Sequence, residues 1–481
     1  MNYKLILRAL SALWIVLSFT MFLPLICSMY YQEGDFLPIF LSMIFTFIPG
    51  VFIFLLLRNI EREEMTHREA FAIVSFGWIS AGFFGSLPFY FSGLPDGFIN
   101  CYFEAISGFT TTGATVLTRI EEVPHGILFW RSLTHWLGGM GIILLSIAIL
   151  PLLGVGGMQL YKAEVPGPIP DKLQPRIVET ARVLWEVYLL FSVVETLLLL
   201  LGGMNLFDAL THTFGTIATG GFSTKSASIA YFASPYIDTV IILFMILAGT
   251  NFSLHYGALK GNSSVFWKNP EFKLYTGILF ASIILVTINL RSGLGNLFTS
   301  LRLGAFQVTS ILTTTGYTTA DYEQWPFFSQ YIILLLMFVG GCAGSTGGGI
   351  KCLRYLILFK QMYAEVYRLI HPRAVVPIKI GGKIISDEVI TSVWGLFTLY
   401  SLIIFFSTMI LILLGLDPLS SFGSIVATIG NIGPGFGIIG PSGTYLTIPG
   451  MGKIVLIICM ILGRLEIYTL VIMLIPEFWK K

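Results

Sequence analysis

The sequence predicts an all-α integral membrane protein of four tandem units behind two extra N-terminal transmembrane helices. Each unit is a span, a short half-crossing helix, a glycine turn and a second span. Three observations predict it: the composition, ten apolar stretches of crossing length, and four shorter apolar segments that each run into a Gly-rich turn. Of 481 residues, 55% are hydrophobic and 11% charged, with a mean hydropathy of +0.83, far from the mix of a soluble domain. The net charge of +2 comes without any block of like charge, so no nucleic-acid or acidic-substrate surface is expected.

A helical span needs roughly 20 mostly apolar residues. Stretches 5–30, 37–57, 70–92, 129–150, 177–201, 236–258, 272–290, 328–360, 389–415 and 449–475 meet that length. The first follows Lys4 and Arg8 as a secretory leader would, but it is long and no A-x-A site follows, so a retained span is expected. Lys and Arg gather on the side of the N-terminus, including Arg58, Lys260, Lys360, Arg368 and Lys480, which predicts cytoplasmic N- and C-termini. Arg119, Lys225 and Arg291 fall on the outer side, with Arg131 and Arg302 as borderline members.

The shorter segments lie near 97–109, 205–217, 297–312 and 418–429 and would all enter from the outer face. Half-crossing helices are tolerated at membrane depth only where protein or a water-filled cavity surrounds them. Their turns centre on Gly113, Gly220, Gly316 and Gly433, spaced 107, 96 and 117 residues apart. Repetition on that scale indicates fourfold duplication of one unit, packed as a pseudo-fourfold ring. The implied division is 1–69 for the extra helices, then repeats at 70–176, 177–271, 272–387 and 388–481.

The turns read Thr110-Thr111-Thr112-Gly113, Ala218-Thr219-Gly220-Gly221, Thr313-Thr314-Thr315-Gly316 and Gly430-Asn431-Ile432-Gly433. Small or β-branched residues ahead of a glycine suit an extended strand whose carbonyls turn toward an axis, since glycine reaches dihedrals closed to other residues. Four such strands make rings of carbonyl oxygens that replace a cation's hydration shell. The helices before them aim partially negative C-termini at the space beneath. The repeats are therefore helix–pore-helix–filter–helix units. Glu104 and Asp208 lie on the short helices, either concentrating cations or serving as caps and ion pairs inside the bundle.

Stretch 328–360 is interrupted by six glycines between Gly340 and Gly349, followed by Lys351. At about 1 kcal/mol per glycine relative to alanine, no helix persists there. The irregular strand containing Gly344, Ser345, Thr346, Gly347, Gly348 and Gly349 is either a movable barrier under the filter or a close-packing surface of small residues. Arg464 sits in the last apolar stretch, where a charge costs about 2.5–3.5 kcal/mol by insertion scales. It either projects under the filter and holds that strand through carbonyls, or pairs with Glu195 or another acid. His135 and His255 fit interhelical hydrogen bonding better than a proton relay, and the five cysteines, with no CxxC pair, fit small hydrophobes.

The segments TTTGAT, ATGGFST, TTTGYTT, NIGPGFG, GGCAGSTGGGIK and GRLEIYTL, spread over the whole chain, resemble the Trk/Ktr/HKT superfamily of potassium transporters. The two extra N-terminal spans and the length make the chain more similar to the TrkH/TrkG membrane subunits than to the shorter KtrB. The resemblance implies potassium uptake across a bacterial cytoplasmic (inner) membrane, with K⁺ as transported ion and no organic cofactor. It also implies K⁺ held by carbonyls at Thr111, Thr112, Ala218, Thr219, Thr314, Thr315, Asn431 and Ile432, with Gly113, Gly220, Gly316 and Gly433 accompanying potassium selectivity. It matches Gly340–Gly349 with an intramembrane gating loop and Arg464 with an arginine beneath the filter. Homodimers and a ring of cytosolic TrkA-like, nucleotide-binding RCK subunits are further implications, with loops 151–176 and 360–387 as candidate docking sites by length and charge. Ala218 and the fourth turn depart furthest from Thr-Thr-Thr-Gly, so the quadrants need not be equivalent.

Two rival readings differ in class. One is a proton- or sodium-coupled symporter, which needs a titratable group in the pathway; Arg464, Glu104 and His135 keep that open. The other is an intramembrane enzyme using Ser107 or Ser345 with a histidine, but GxSxG is absent and no histidine stands in a motif relation to either serine. The chain is expected not to be an enzyme.

Overall fold

The computed structural model describes residues 1–59, 66–141 and 177–480. Among them six helices are long and apolar enough to cross a membrane: Tyr3–Tyr31, Phe36–Leu56, Arg68–Ser92, Arg182–Leu201, Pro270–Gly293 and Asp387–Leu413. Two bent pairs, Pro235–Ala248 with Phe252–Leu259 and Gly450–Arg464 with Tyr468–Leu474, bring the number to eight if each is one span. Predicted stretch 328–360 is divided into Phe327–Leu336 and Cys352–Ile370 around the glycine loop. Stretch 129–150 begins as His125–Gly139 and runs beyond the described residues.

The four short helices form as expected: Phe98–Phe109, Leu206–Ile217, Leu297–Leu312 and Pro418–Ile429. Three start at a side-chain cap, where Asn205 accepts from the Asp208 amide, Asn296 from Phe298 and Asp417 from Ser420, satisfying a donor that the first turn leaves free. Each strand that leaves a turn passes through a short 3₁₀ segment, Ile120–Glu122, Ser228–Phe232, Tyr322–Gln324 or Tyr445–Thr447. The next span then follows a proline at its cap, Pro124, Pro326 or Pro449, or begins with one, Pro235. Proline is suited to that position because its ring fixes a helical φ and the missing N–H is not needed there.

Two apolar stretches expected to be straight are bent, Pro235–Leu259 by 100° and Gly450–Leu474 by 112°. At the first bend Asn251 caps a new helix by accepting from Ser253, and at the second Glu466 and Ile467 adopt left-handed φ values of 53° and 61°. The second spans of repeats two, three and four are thus all broken, not the third alone. Loop 360–387 also differs from a plain loop. The helix runs on to Ile370, and a two-residue hairpin pairs Lys379–Ile380 with Lys383–Ile384, its Ile380 packing in a small core with Leu353, Ile357 and Ile390.

Aromatic residues such as Trp78, Trp130, Tyr188, Tyr275, Tyr317 and Tyr322 fill the interior, while Phe19, Phe45, Phe280 and Phe405 are exposed on the perimeter. That inversion suits a lipid surround, where packing and not water exclusion holds helices together. Close approach depends on small residues. A Cβ on Gly138 or Gly463 would strike the carbonyl of Phe109 or Ile429, the last residue of the neighbouring short helix.

Candidate functional site

All four short helices end in the same way. The amides of Thr112, Gly220, Thr315 and Ile432 donate to the carbonyls of Ser107, Gly215, Ser310 and Ala427, at 2.8–2.9 Å. The residue before each, Thr111, Thr219, Thr314 or Asn431, is left-handed with φ between 52° and 60°. This is a helix-terminating motif normally given to glycine, and a β-branched residue there is a true outlier at about 1–2 kcal/mol. The next residue but one, Gly113, Gly221, Gly316 or Gly433, also has positive φ, from 77° to 95°.

This repetition moves the second turn by one residue. Gly221, not Gly220, stands where Gly113, Gly316 and Gly433 stand, and Gly220 occupies the place of Thr112. The equivalent carbonyls in that turn are therefore those of Thr219 and Gly220, while Ala218 is the helix cap, matching Thr110, Thr313 and Gly430. A sequence with two adjacent glycines satisfies the Thr-Gly pattern in either register; only the position of the helix end decides.

In this register the turns close a ring. A Cβ on Gly113 would strike the carbonyl oxygen of Gly220, one on Gly221 that of Thr315, one on Gly316 that of Ile432, and one on Gly433 that of Thr112. Each glycine lies against the carbonyl that precedes the next repeat's glycine. A cavity of about 130 Å³ is lined by all four of these glycines, and one of about 110 Å³ on the opposite side is lined by the glycine loop, Lys351, Arg464 and Trp78.

Side chains brace the ring from outside. Arg131, 1% exposed, donates to Glu104 at 2.7 Å and to the Ser223 carbonyl at 2.9 Å, joining repeats one and two. Glu104 also accepts from the Val116 amide and the Thr115 hydroxyl, and Asp208 accepts from Thr224 at 2.6 Å with Lys225 at 3.8 Å. Of the two readings of these acids, pairing inside the bundle describes their contacts. Tyr445 donates to the Gly433 carbonyl at 2.6 Å, and Tyr317 to those of His212 and Phe222. The quadrants also differ in their side-chain contacts. Thr110 and Thr112 share a hydroxyl contact at 2.7 Å, as do Thr313 and Thr315 at 2.8 Å, whereas Asn431 donates to the Thr112 hydroxyl of the adjacent turn.

The glycine loop lies directly beneath. Its Gly348 amide donates to the Thr314 hydroxyl at 2.7 Å; Thr346 donates its hydroxyl to the Ile217 carbonyl and its amide to that of Ala248; Cys342 donates to Gly249. The loop therefore uses carbonyls freed by the bend at Gly249. Lys351 donates from Nζ to Gly347. Arg464 donates from Nη1 to the Thr346 carbonyl at 2.9 Å and to the Thr111 hydroxyl at 3.2 Å, and from Nη2 to the Gly138 carbonyl at 2.6 Å and that of Gly139 at 3.1 Å. Of the two readings of Arg464, carbonyl bonding to the glycine strand beneath the turns is the one these contacts describe. Glu466 pairs with Arg354 instead. His135 accepts from the Phe222 amide at 3.4 Å, and His255 bonds the Leu247 carbonyl across the bend, as expected of interhelical bonders.

Residues 38–481 match the family model of TrkH, described as a cation transport protein. The chain is 42% identical over 486 residues, 100% of both chains, to the Trk system potassium uptake protein TrkH of Escherichia coli (strain K12). The chain belongs to the TrkH family. It is also 38% identical over 467 residues, 96% of each chain, to the Trk system potassium uptake protein TrkG of the same organism. The crystal structure of the potassium transporter TrkH from Vibrio parahaemolyticus matches with a TM-score of 0.90 at 38% identity over 100% of both chains. These TrkH-family relatives are named as transporters, in agreement with the expectation of a non-enzymatic, multi-pass membrane protein.

Some residues of this TrkH-family site carried no signal in the sequence. The acceptors at Gly138, Ile217, Ala248 and Gly249 are backbone carbonyls, which any side chain can accompany. Tyr317 and Tyr445 are tyrosines in the segments after two of the turns, and nothing in their sequence context marks the carbonyls they bond. Glu271 lies in an Asn269-Pro270-Glu271 helix start, a local pattern that says nothing of distant amides.

Proposed function

We propose that this chain is the potassium-conducting membrane subunit of a Trk-type uptake system in a bacterial cytoplasmic membrane. K⁺ passes through a filter of carbonyls from Thr111–Gly113, Thr219–Gly221, Thr314–Gly316 and Asn431–Gly433. The observation that carries this is the closed ring, in which four glycines each meet the next repeat's carbonyl, between two cavities. Backbone oxygens fixed by four identical helix ends replace a hydration shell without a carboxylate ring. Gly344–Gly349, Lys351 and Arg464 form the gate: Gly348 bonds to Thr314, Arg464 and Lys351 donate to the Thr346 and Gly347 carbonyls, and Arg464 adds a positive charge beneath the filter.

The four repeats at 70–176, 177–271, 272–387 and 388–481 act as quadrants of one pore. On the family resemblance, the subunit works as a homodimer with cytosolic TrkA-like RCK nucleotide-binding subunits. The Lys360–Asp387 region, with its hairpin, is the candidate docking site, while 151–176 lies outside the described residues.

Expression in a bacterium lacking its own potassium uptake should restore growth and Rb⁺ accumulation at low potassium. A correctly inserted protein that supports neither would overturn the reading. Currents from purified protein in a bilayer, with pH and Na⁺ varied on each side, distinguish a gated conductance from proton- or sodium-coupled symport: a reversal potential that follows K⁺ alone favours conductance.

A further inference from the structure

We infer that Glu271 is the positioning residue of the gate, clamping both ends of the glycine loop so that only the segment between them moves; this rests on the reading of that loop as a gate. One carboxylate oxygen, Oε1, accepts from the Ala343 amide at 2.7 Å and from the Leu353 amide at 2.9 Å. Those residues bracket the Gly344–Gly349 segment of the loop. Within the clamp lie Gly344, next to Ala343, and Gly349, four residues before Leu353, both left-handed, with φ of 73° and 66°. Backbone with positive φ at both ends of a short segment is where a hinge turns at least steric cost.

Glu271 is itself held in place. It is 5% exposed, in the first turn of Pro270–Leu294, a helix capped by Asn269 accepting from Phe272. Its second target, Leu353, is in the first turn of Cys352–Ile370, whose own cap residue, Lys351, makes no side-chain capping bond. Glu271 therefore caps that helix from another element, and a carboxylate at a helix N-terminus is favoured by charge as well as by hydrogen bonding. A buried carboxylate with two amide donors is a firm anchor, because losing either bond leaves a buried polar group unsatisfied.

The bonds inside the clamp differ in kind. Thr346 is held by neutral bonds to the Ile217 and Ala248 carbonyls and Gly348 by one to the Thr314 hydroxyl, with Arg464 donating to the Thr346 carbonyl. Neutral bonds of this type are individually weak and can be exchanged as the loop moves. The result is a fixed frame at Ala343 and Leu353 around a tongue of Ser345–Gly348. Ser345 lines the cavity on that side.

The test uses the full-length protein in proteoliposomes, read by basal Rb⁺ flux, by K⁺ over Na⁺ selectivity, and by the rate at which a membrane-impermeant thiol reagent modifies a Ser345→Cys variant, corrected for the parent protein. Glu271→Ala should raise both flux and modification rate, each by about tenfold, with selectivity unchanged. A merely structural loss would lower flux or degrade selectivity. If Glu271→Ala leaves flux and reactivity unchanged while deletion of Gly347 and Gly348 raises flux, the clamp is overturned and the gate reading stands. If the deletion also has no effect, the gate reading fails and the clamp with it. Should Glu271→Ala not yield a single monodisperse species, Glu271→Gln decides. Its amide oxygen keeps the acceptor without the charge, so a rise of about threefold is expected, and no change overturns the proposal.

Discussion

The filter turns and the glycine loop are both irregular, glycine-containing backbone at the centre of the bundle, yet they are held in opposite ways. Each filter turn satisfies its amides within its own short helix, through the bonds to Ser107, Gly215, Ser310 and Ala427. The glycine loop has a few bonds within its own segment, such as Ser345 to Cys342 and Gly340 to Ile350, but is otherwise held by distant residues: Ile217, Ala248, Gly249, Thr314, Glu271 and Arg464. A local motif is set by its own sequence and resists displacement; a borrowed one exists only while its neighbours supply partners. That contrast suits a rigid selectivity element above a movable barrier.

The largest expected effect tests the local half of the contrast. Gly113→Ser and Gly221→Ala should each lower K⁺ over Na⁺ selectivity by on the order of tenfold. Either substitution puts a Cβ against the next repeat's carbonyl at a φ of 77°. Gly220→Ala should behave differently: its Cβ would meet the His135 ring, not a carbonyl, so it should lower thermal stability with selectivity kept. Bi-ionic reversal potentials and melting curves separate the two, and equal selectivity losses at 220 and 221 would break the assigned register.

The borrowed half is tested at Arg464. Arg464→Ala removes a fork that joins the loop, Thr111 and the Gly138–Gly139 carbonyls, so basal Rb⁺ flux should rise about tenfold at unchanged selectivity. Arg464→Lys should restore part of the barrier, since an ammonium keeps the charge without the planar fork. An Ala variant that lost selectivity instead would mean that loop and filter are one unit.

The smallest effect concerns a helix start on the outer margin. The hydrogen bond from the Ser420 amide holds the Asp417 carboxyl below its ordinary value. A depressed carboxylate contributes stability that is present above its unfolded pKa of about 3.9 and lost as pH falls through the lower folded value. Asp417→Asn keeps a capping oxygen but removes that dependence, so its melting temperature should change less between pH 5 and pH 3 than the parent's. Equal slopes would show that the cap does not bear on the fourth quadrant.

The same contrast explains what could be read from the sequence. The short helices were legible almost to the residue, because apolar length and a following glycine are local signals; predicted 418–429 is the helix Pro418–Ile429. The loop was legible as a break because six glycines cannot hold a helix. Its partners were not legible, since carbonyl acceptors at Ala248 and Gly249 leave no trace in side-chain chemistry. Nor was the bend that frees them, because hydropathy averages across it. The one-residue shift at Gly220–Gly221 has the same origin: composition allowed both registers, and the end of the helix at Ile217 chose between them.

The ring of glycines and carbonyls has a consequence for biosynthesis. Its last link, from Gly433 back to Thr112, joins a segment near the end of the chain to one made near its beginning. Until the ribosome has delivered the fourth repeat, three turns stand around an unclosed gap and no complete ring of oxygens exists. On the proposed function, a partly synthesised or C-terminally truncated chain would therefore lack the filter altogether, so a cell inserting this protein span by span would gain an ion-selective path only at the final step of assembly.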